Sequence, residues 1–317
     1  KDCSKESYSD ENGGYEERWD MTGKEHYSQN LFLDKMLQFI RDNKSEKFFL
    51  YHPTQLPHGP TSIPEIHSDF KDNPDLTELE KAYASMVKML DDHVGVLVEE
   101  LKKQGIYENT LIVFTADNGH EIYYPSPGKM DKPVRNMQTG KRFDNVNTKF
   151  YSHLAGDVFN GNDGMAGLKR DNWEGGVRVP LIYHWPGKIE GGKVLSQMVA
   201  NYDLLLTFAD MLDVEVLNKK DGLSYWPALF GNSSPKHDYV VFNSKLGPAL
   251  VTVDGWKIRY QKTAAMYQLY YLPDDYSEAN NLADRHPEKL EKLKEILLSE
   301  CGGETFPKEP RISPLSY

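Results

Sequence analysis

The sequence predicts an α/β fold, in which a largely parallel mixed sheet flanked by helices precedes a small antiparallel sheet with one helix. Residues 48–51, 77–105 and 110–115 have the patterns of a strand, a long amphipathic helix and a second strand. This order favours a parallel β-α-β unit with both strands in the interior of the sheet. Toward the C-terminus, short β-rich runs separated by turn residues predict the antiparallel part. We therefore divide the chain into an α/β domain at 1–235 and a small subdomain at 236–317.

The individual elements follow from local patterns. Apolar side chains at helical spacing predict a first helix over residues 28–43. A capping box that starts at Thr77 begins the long helix, and Gly105 ends it. Residues 177–185 form a third buried strand, and residues 202–212 a short helix. The C-terminal subdomain is expected to contain four strands and a final helix at residues 239–242, 249–253, 256–261, 268–272 and 286–298.

Composition restricts the classes of function. A net charge of −11 argues against a nucleic-acid binder, because phosphate binding needs clustered lysine and arginine. The longest apolar runs are too short to cross a bilayer, and the N-terminus shows no targeting signal. Cys3 and Cys301 could form one disulfide bond or remain as two thiols.

A long segment over residues 120–166 is rich in Gly, Pro, Asn and Lys and reads as a loop over the site. Basic residues outnumber acidic ones in its middle, which would suit a small anionic ligand or serve only to keep the loop solvated. These bases are Lys129, Lys132, Arg135, Lys141, Arg142 and Lys149.

Polar residues follow the second predicted strand directly, where ligands bind in open α/β sheets. Asp117 and Asn118 offer two oxygen ligands that suit calcium or magnesium, and Gly119 lets the backbone turn. Such a cation requires six or more ligands, so others must come from elsewhere. The same three residue types are also common in ordinary turns that bind no metal.

Two further groups could act on an anion. His58 lies between prolines just after the first predicted strand, where it could protonate a leaving oxygen or simply pack in the turn. His52 is expected to be a packing residue. Lys169 precedes the pair Gly175 and Gly176, which implies a tight turn or a close backbone approach. That lysine could offer its charge to a sulfate or phosphate oxygen, or be an ordinary surface residue.

These features occur together in an order that resembles the sulfatase family. The resemblance is carried by residues 109–119, which end in Asp-Asn-Gly, and by residues 167–180, which contain Glu-Gly-Gly-Val-Arg-Val-Pro. It spans nearly the whole chain. Further matching positions are Pro57, His58, Trp185, Pro186, Gly187, Asp203, Thr207, Asp221, Gly222, residues 254–257, Leu269, Tyr270, Glu278 and residues 281–283.

The resemblance implies an alkaline phosphatase-like fold and a calcium-dependent hydrolase of sulfuric esters, acting on a sulfated small molecule or glycan. Asp117 and Asn118 would be metal ligands, and His58 and Lys169 would contact the sulfate and its leaving oxygen. Arg170, together with Lys129, Lys132 and Arg135 of the basic loop, would help to choose the substrate. By the same resemblance, the protein would be secreted, periplasmic or lysosomal.

One part of the family pattern has no counterpart here. Sulfatases act through a formylglycine made within a Cys/Ser-x-Pro/Ala-x-Arg motif, and this motif is absent from the sequence. The paired aspartates that complete the family's metal site also have no counterpart. We therefore expect the chain to be the latter part of a sulfatase, with its nucleophile in a preceding segment, and to hydrolyse nothing by itself.

Two alternatives remain open. A phosphodiesterase or phosphonate hydrolase of the same superfamily would share metal ligation at strand ends, although the Lys169 region favours a sulfatase. A non-catalytic module that binds sulfated glycans would explain the missing nucleophile, but a sheet lacking strands would expose its edges and apolar surface. No feature of the sequence indicates the oligomeric state.

Overall fold

We describe the protein from a computed structural model. The structure describes residues 27–58, 63–76, 78–119, 161, 163–217, 220–244, 246–262 and 264–303, with only the backbone at 78–80. It also gives the backbone of four short strands that form two antiparallel pairs. These strands are β1 (Ser4–Ser9), β2 (Tyr15–Asp20), β4 (Met130–Asp131) and β5 (Arg135–Asn136).

The N-terminal part of the described chain is helical. Helix α1 (Ser28–Asn43) has the predicted bounds, and α3 (Glu78–Lys103) is the predicted long helix, preceded by the short α2 (Ser68–Lys71). Gly105 ends α3 with a left-handed φ of 73°, as expected for a helix stop. Thr77, the expected cap, lies outside the described residues. Side chains of the two long helices that form their buried core include Met36, Ile40, Tyr83, Met86 and Leu101.

The sheet that carries the site pairs two strands in antiparallel fashion. Strand β3 (Ile112–Thr115) runs beside β6 (Leu181–His184), with Ile112 opposite His184 and Thr115 opposite Leu181. The third predicted strand is therefore shorter than expected, because residues 174–177 form the helical turn α4 (Glu174–Val177). After α4, the chain enters β6 and runs antiparallel to β3.

The expected parallel pair between residues 48–51 and 110–115 is not among the pairings of the described residues. Residues 48–51 lie outside regular secondary structure, and the side chains of Phe49 and Tyr51 are both 74% exposed. The order strand-helix-strand favours a parallel pair, but strand pairing depends on segments distant in sequence, such as β6, which local patterns do not specify.

The C-terminal part is an antiparallel meander covered by one helix, as predicted. Strands β7 (Tyr239–Ser244), β8 (Gly247–Thr252), β9 (Trp256–Gln261) and β10 (Met266–Tyr271) lie in the order β10-β9-β8-β7. Helix α6 (Pro287–Glu300) packs its buried leucines on one sheet face. The predicted short helix between the two parts is α5 (Leu204–Met211). The boundary after residue 235 stays a prediction.

Three short 3₁₀ helices complete the described connections, at Tyr107–Asn109, Asn201–Asp203 and Trp226–Phe230. No helix in the described part of the chain has the length and apolar character needed to cross a membrane.

Candidate functional site

The turn after β3 lies at the end of the strand, as the sequence predicts. The side chain of Asp117 is exposed and that of Asn118 is half-buried. Asn118 donates its Nδ2 to the carbonyl of Gly119 at 3.0 Å, a bond that does not use its Oδ1. Asn201 supports the turn from the other side by donating its Nδ2 to the carbonyl of Ala116 at 3.2 Å.

Gly119 brings this turn into direct backbone contact with α4. Its N–H donates to the carbonyl of Gly176 at 3.0 Å. A Cβ at this position would lie 2.0 Å from the carbonyl oxygen of Gly175, so glycine is required by the close approach rather than by a left-handed φ. The turn at 117–119 is therefore docked on α4.

The segment that carries Lys169 folds back on the same helical turn. Gly175 donates its N–H to the carbonyl of Ala166 at 2.8 Å. A Cβ on Gly176 would lie 2.3 Å from the carbonyl oxygen of Leu168. The sequence prediction of a close backbone approach at the paired glycines is thus confirmed. The turn at 117–119 and the backbone next to Lys169 therefore both lie against Gly176.

The charged residues of this segment differ in exposure. Lys169 is half-buried and Arg170 is exposed, with a left-handed φ of 80° at Arg170. Asp171 is buried and accepts the N–H of Leu168 at 2.9 Å. Burial raises the pKa of Asp171 to about 7, although the hydrogen bond from Leu168 and the nearby Arg259 act in the opposite direction. The loop therefore holds an acidic group that is protonated more readily than a surface aspartate.

His58 is exposed at the C-terminal end of residues 51–58, a segment without helix or strand. Its backbone N–H donates to the carbonyl of Gln55 at 2.7 Å, directly after a cis peptide bond between Leu56 and Pro57. Gln55 accepts a side-chain hydrogen bond from Gln29 of α1 at 3.0 Å, which fixes this segment to the first helix. The histidine side chain is thus presented on a tethered turn.

His52 has the partly buried environment expected of a packing residue. Burial lowers its pKa, and the pKa of the buried His93 on α3 is lowered by burial and by repulsion from His52. Both rings therefore favour the neutral form. We assign no part of the chemistry to this pair.

The remaining predicted substrate residues are described only in part. Lys129 and Lys132 lie outside the described residues, and for Arg135 the structure gives only the backbone, in the hairpin of β4 and β5. Cys301 is an exposed free thiol, and Cys3 lies outside the described residues.

The donor chemistry at 117–118 fits part of a site for a hard cation. Asp117 supplies an exposed carboxylate and Asn118 an amide oxygen, the ligand types that calcium prefers. No group of three or more His, Cys, Asp or Glu side chains in the described part of the chain could hold a metal ion. The other ligands of such a cation would have to come from groups beyond these two residues.

The sequence patterns did not indicate a buried ion cluster at Glu174, just after the segment that carries Lys169. Lys257 of β9 is fully buried and lies 2.9 Å from Glu174 Oε1 and 2.8 Å from Glu278 Oε1. The alternation along β9 would ordinarily place a lysine at a solvated face. Lys257 and Glu278 appeared only among the positions of family resemblance, so only that resemblance could have drawn attention to them.

Comparisons with known proteins agree with this architecture. The model of the sulfatase family matches residues 1–214. A second model, described as the C-terminal part of N-sulphoglucosamine sulphohydrolase, matches residues 168–300. The two matches overlap over residues 168–214, which include Lys169, α4, β6 and α5.

Two curated relatives illustrate the similarity. An N-acetylgalactosamine-6-O-sulfatase of Bacteroides thetaiotaomicron is 27% identical over 287 residues, which cover 85% of this chain and 50% of that protein. An N-acetylgalactosamine-6-sulfatase of Rattus norvegicus is 28% identical over 213 residues, which cover 66% of this chain and 33% of that protein. The chain therefore spans half or less of the length of these relatives.

Solved structures share the fold. A Bacteroides thetaiotaomicron protein from a study of glycosaminoglycan metabolism superposes with a TM-score of 0.68 at 21% identity, covering 94% of this chain and 61% of that one. The protein Ps i-CgsB superposes with a TM-score of 0.61 at 26% identity, covering 91% of this chain and 58% of that one.

Proposed function

Since the chain belongs to the sulfatase family, we propose that its complete gene product is a calcium-dependent hydrolase of sulfuric esters. The observation that carries this proposal is the docking of the turn at 117–119 on α4, through the bond from Gly119 to Gly176. That contact joins two predicted metal ligands to the loop that bears Lys169. In the proposed site, a carboxylate, an amide oxygen and an ammonium group would act together at one end of the sheet.

The proposed roles follow from the chemistry of each group. Asp117 and Asn118 would hold a calcium ion, which when bound supplies Lewis-acid polarisation of a sulfate oxygen. Lys169 places a positive charge where negative charge develops on the sulfate in the transition state. His58, exposed on its tethered turn, donates a proton to the leaving oxygen of the ester.

We propose a sulfated carbohydrate as the substrate class. The relatives named N-acetylgalactosamine-6-sulfatases support this choice. Arg170 is exposed beside Lys169 and would contact anionic groups of the substrate beyond the reacting ester. Lys129, Lys132 and Arg135 would extend this basic surface. The same family membership favours a secreted, periplasmic or lysosomal location.

Sulfate release by the complete gene product tests the proposal. We expect turnover of an aryl sulfate and of a sulfated N-acetylgalactosamine, lost when EGTA removes calcium. Lys169→Ala should lower kcat by about 10²-fold or more, because one preorganised group opposite the developing charge is lost. His58→Ala should lower kcat by about 10² to 10⁴-fold, since no side chain then donates a proton to the leaving oxygen.

Lys188→Ala is the matched control, because Lys188 is an exposed lysine in the turn after β6. It should leave the rate unchanged. Full sulfate release after EGTA treatment and in Lys169→Ala would contradict the proposed site. A higher rate on aryl phosphate than on aryl sulfate would favour a phosphodiesterase, and tight binding of a sulfated glycan with no turnover would favour a binding module.

A further inference from the structure

Two carboxylates of different parts of the chain share one buried lysine. Lys257 Nζ lies between Glu174 Oε1, at 2.9 Å, and Glu278 Oε1, at 2.8 Å. Lys257 and Glu278 are fully buried, and Glu174 is 7% exposed. Burial raises the pKa of Glu278, as does the neighbouring Glu174, whereas Lys257 acts to lower it. The lysine therefore opposes the protonation of Glu278 that burial favours.

Glu278 also holds the backbone of α4. Its Oε2 accepts the N–H of Glu174 at 2.8 Å. This N–H belongs to the first turn of a helix, where backbone donors have no partner within the helix. Glu278 adopts a left-handed φ of 54°, which is unfavourable for a residue other than glycine. The surrounding contacts thus keep Glu278 in a strained conformation that directs its carboxylate at Glu174.

A second contact from β9 holds the two residues before Glu174. Arg259 donates its Nε to Asn172 Oδ1 at 2.6 Å, and its guanidinium lies 3.4 Å from the centre of the Trp173 ring. Asn172 in turn donates its Nδ2 to the carbonyl of Gly247 at 3.0 Å. Residues 172–174 are therefore bound to the C-terminal sheet at each position.

The geometry of β9 explains this arrangement. Successive side chains of a strand point to opposite faces. Ile258 packs in the apolar core beneath α6, so Lys257 and Arg259 share the opposite face. That face is covered by residues 172–174 and not by water, because Lys257, Arg259 and Asn172 all have zero exposure. Lys257 and Arg259 of β9 therefore contact residues 172–174, close in sequence to Lys169.

We propose that Lys257 and Glu278 are positioning residues that hold α4, and through it the turn at 117–119, in the geometry needed for calcium binding. This inference rests on the proposed function. The connection is short, because Gly176 of α4 accepts the N–H of Gly119, and Gly119 lies so close to Gly175 that an added Cβ would be 2.0 Å from its carbonyl oxygen. Without Lys257, two buried carboxylates would repel each other next to the N-terminus of α4. The turn would then lose its support.

Lys257→Met in the complete gene product tests the inference. The expected result is an affinity for calcium at least 10-fold weaker by titration calorimetry, with kcat at saturating calcium reduced less than the affinity. Amide exchange at Gly119 and Gly176 should become at least 10-fold faster, while the amides of β8 that pair with β7 change less. A purely structural role would lower the melting temperature but leave the calcium affinity of the folded protein unchanged, and this outcome would overturn the inference.

Lys294→Met is the matched control. Lys294 pairs with Glu291 on the surface of α6, so its replacement should alter neither calcium affinity nor exchange at Gly119. If Lys257→Met does not fold, Glu278→Gln provides the test. It keeps an oxygen that can accept the N–H of Glu174 but removes the charge, and it should weaken calcium binding in the folded protein; unchanged binding would refute the positioning role.

The exchange measurement separates this inference from the proposed function. Faster exchange at Gly119 in Lys257→Met supports the mechanical connection even if the gene product releases no sulfate. Sulfate release and calcium binding that are both unaffected by Lys257→Met would uphold the proposed function and refute the positioning role.

Discussion

At the scale of single residues, the site depends on glycines that permit backbone contact. A side chain at Gly119 would collide with the carbonyl oxygen of Gly175, which belongs to the backbone and has little freedom to move. By contrast, Gly95 in the middle of α3 has no atom within 4 Å of a Cβ built on it. The same substitution should therefore have opposite effects at these two positions.

We predict that Gly119→Ala destabilises the protein by about 1–3 kcal/mol, the usual cost of forcing an extra carbon into a packed site. It should also weaken calcium binding, because the turn at 117–119 must move away from α4. Gly95→Ala should instead stabilise by about 0.5–1 kcal/mol, since alanine is the better helix former. Urea unfolding of the two variants measures both effects. Equal stability of the two variants would contradict the contact between Gly119 and Gly175.

At the scale of elements, α1 and α3 are joined by one arginine-carboxylate pair. Arg41 donates its Nε to Glu100 Oε1 at 2.8 Å and its Nη2 to Glu100 Oε2 at 2.9 Å. Gln104 adds a third hydrogen bond to the same carboxylate at 2.7 Å. The hydrogen bond from Arg41 is the main cause that lowers the pKa of Glu100 from 4.5 to about 2.

This shift predicts a pH dependence. The folded state binds the proton of Glu100 more weakly than the unfolded chain, so the pair stabilises the protein above pH 4.5, and this contribution is lost as the pH falls toward 2. Arg41→Ala should therefore lower the free energy of unfolding at pH 7 and have little effect near pH 2. Lys35→Ala, an exposed position on the same helix, is the control. A loss of stability in Arg41→Ala that is equal at both pH values would show that packing, and not the ion pair, is involved.

The C-terminal sheet is an element with two different faces. One face buries Leu250, Ile258 and Leu269 against the leucines of α6. The other face buries Tyr270 against Trp173, with ring centres 5.4 Å apart. The sheet thus contributes both to its own apolar core and to the packing of the loop that carries Lys169.

At the scale of the whole molecule, these shared contacts should make the C-terminal unit and the site loop unfold together. Leu297 of α6 is fully buried in the core on the far face of the sheet from the loop. Leu297→Ala should destabilise the sheet by about 2–5 kcal/mol, through lost burial and the cavity that remains. Because residues 172–174 are bound to β8 and β9, we expect the free energy of opening of these residues to fall by the same amount.

Hydrogen exchange under mildly denaturing conditions can check this coupling. The amides of Ile258 in β9 and of Gly175 in α4 should lose the same protection in Leu297→Ala, as members of one cooperative unit. Leu298→Ala, one position along α6 and only half-buried, should have a smaller effect on both. Loss of protection in β9 with an unchanged loop would show that the two parts are independent.

Much of the local structure could be predicted because it depends on neighbouring residues. The periodicity of α1, the stop of α3 at Gly105 and the four strands of the C-terminal sheet all follow from side-chain spacing and turn chemistry. The placement of Asp117 and Asn118 at the end of a strand was predicted for the same reason. The parallel pairing was not confirmed in the described residues, since strand pairing depends on distant segments.

The sequence by itself therefore determined most of the elements, the family and the residue types available for chemistry, because each is encoded by short patterns. Only the tertiary structure decided what surrounds them. It placed β6 antiparallel to β3, docked Gly119 on α4, and buried Lys257 between Glu174 and Glu278. The physical reason is that burial and charge pairing join residues distant in sequence, such as Lys257 and Glu174, which are 83 positions apart, and local spacing does not bring such residues together.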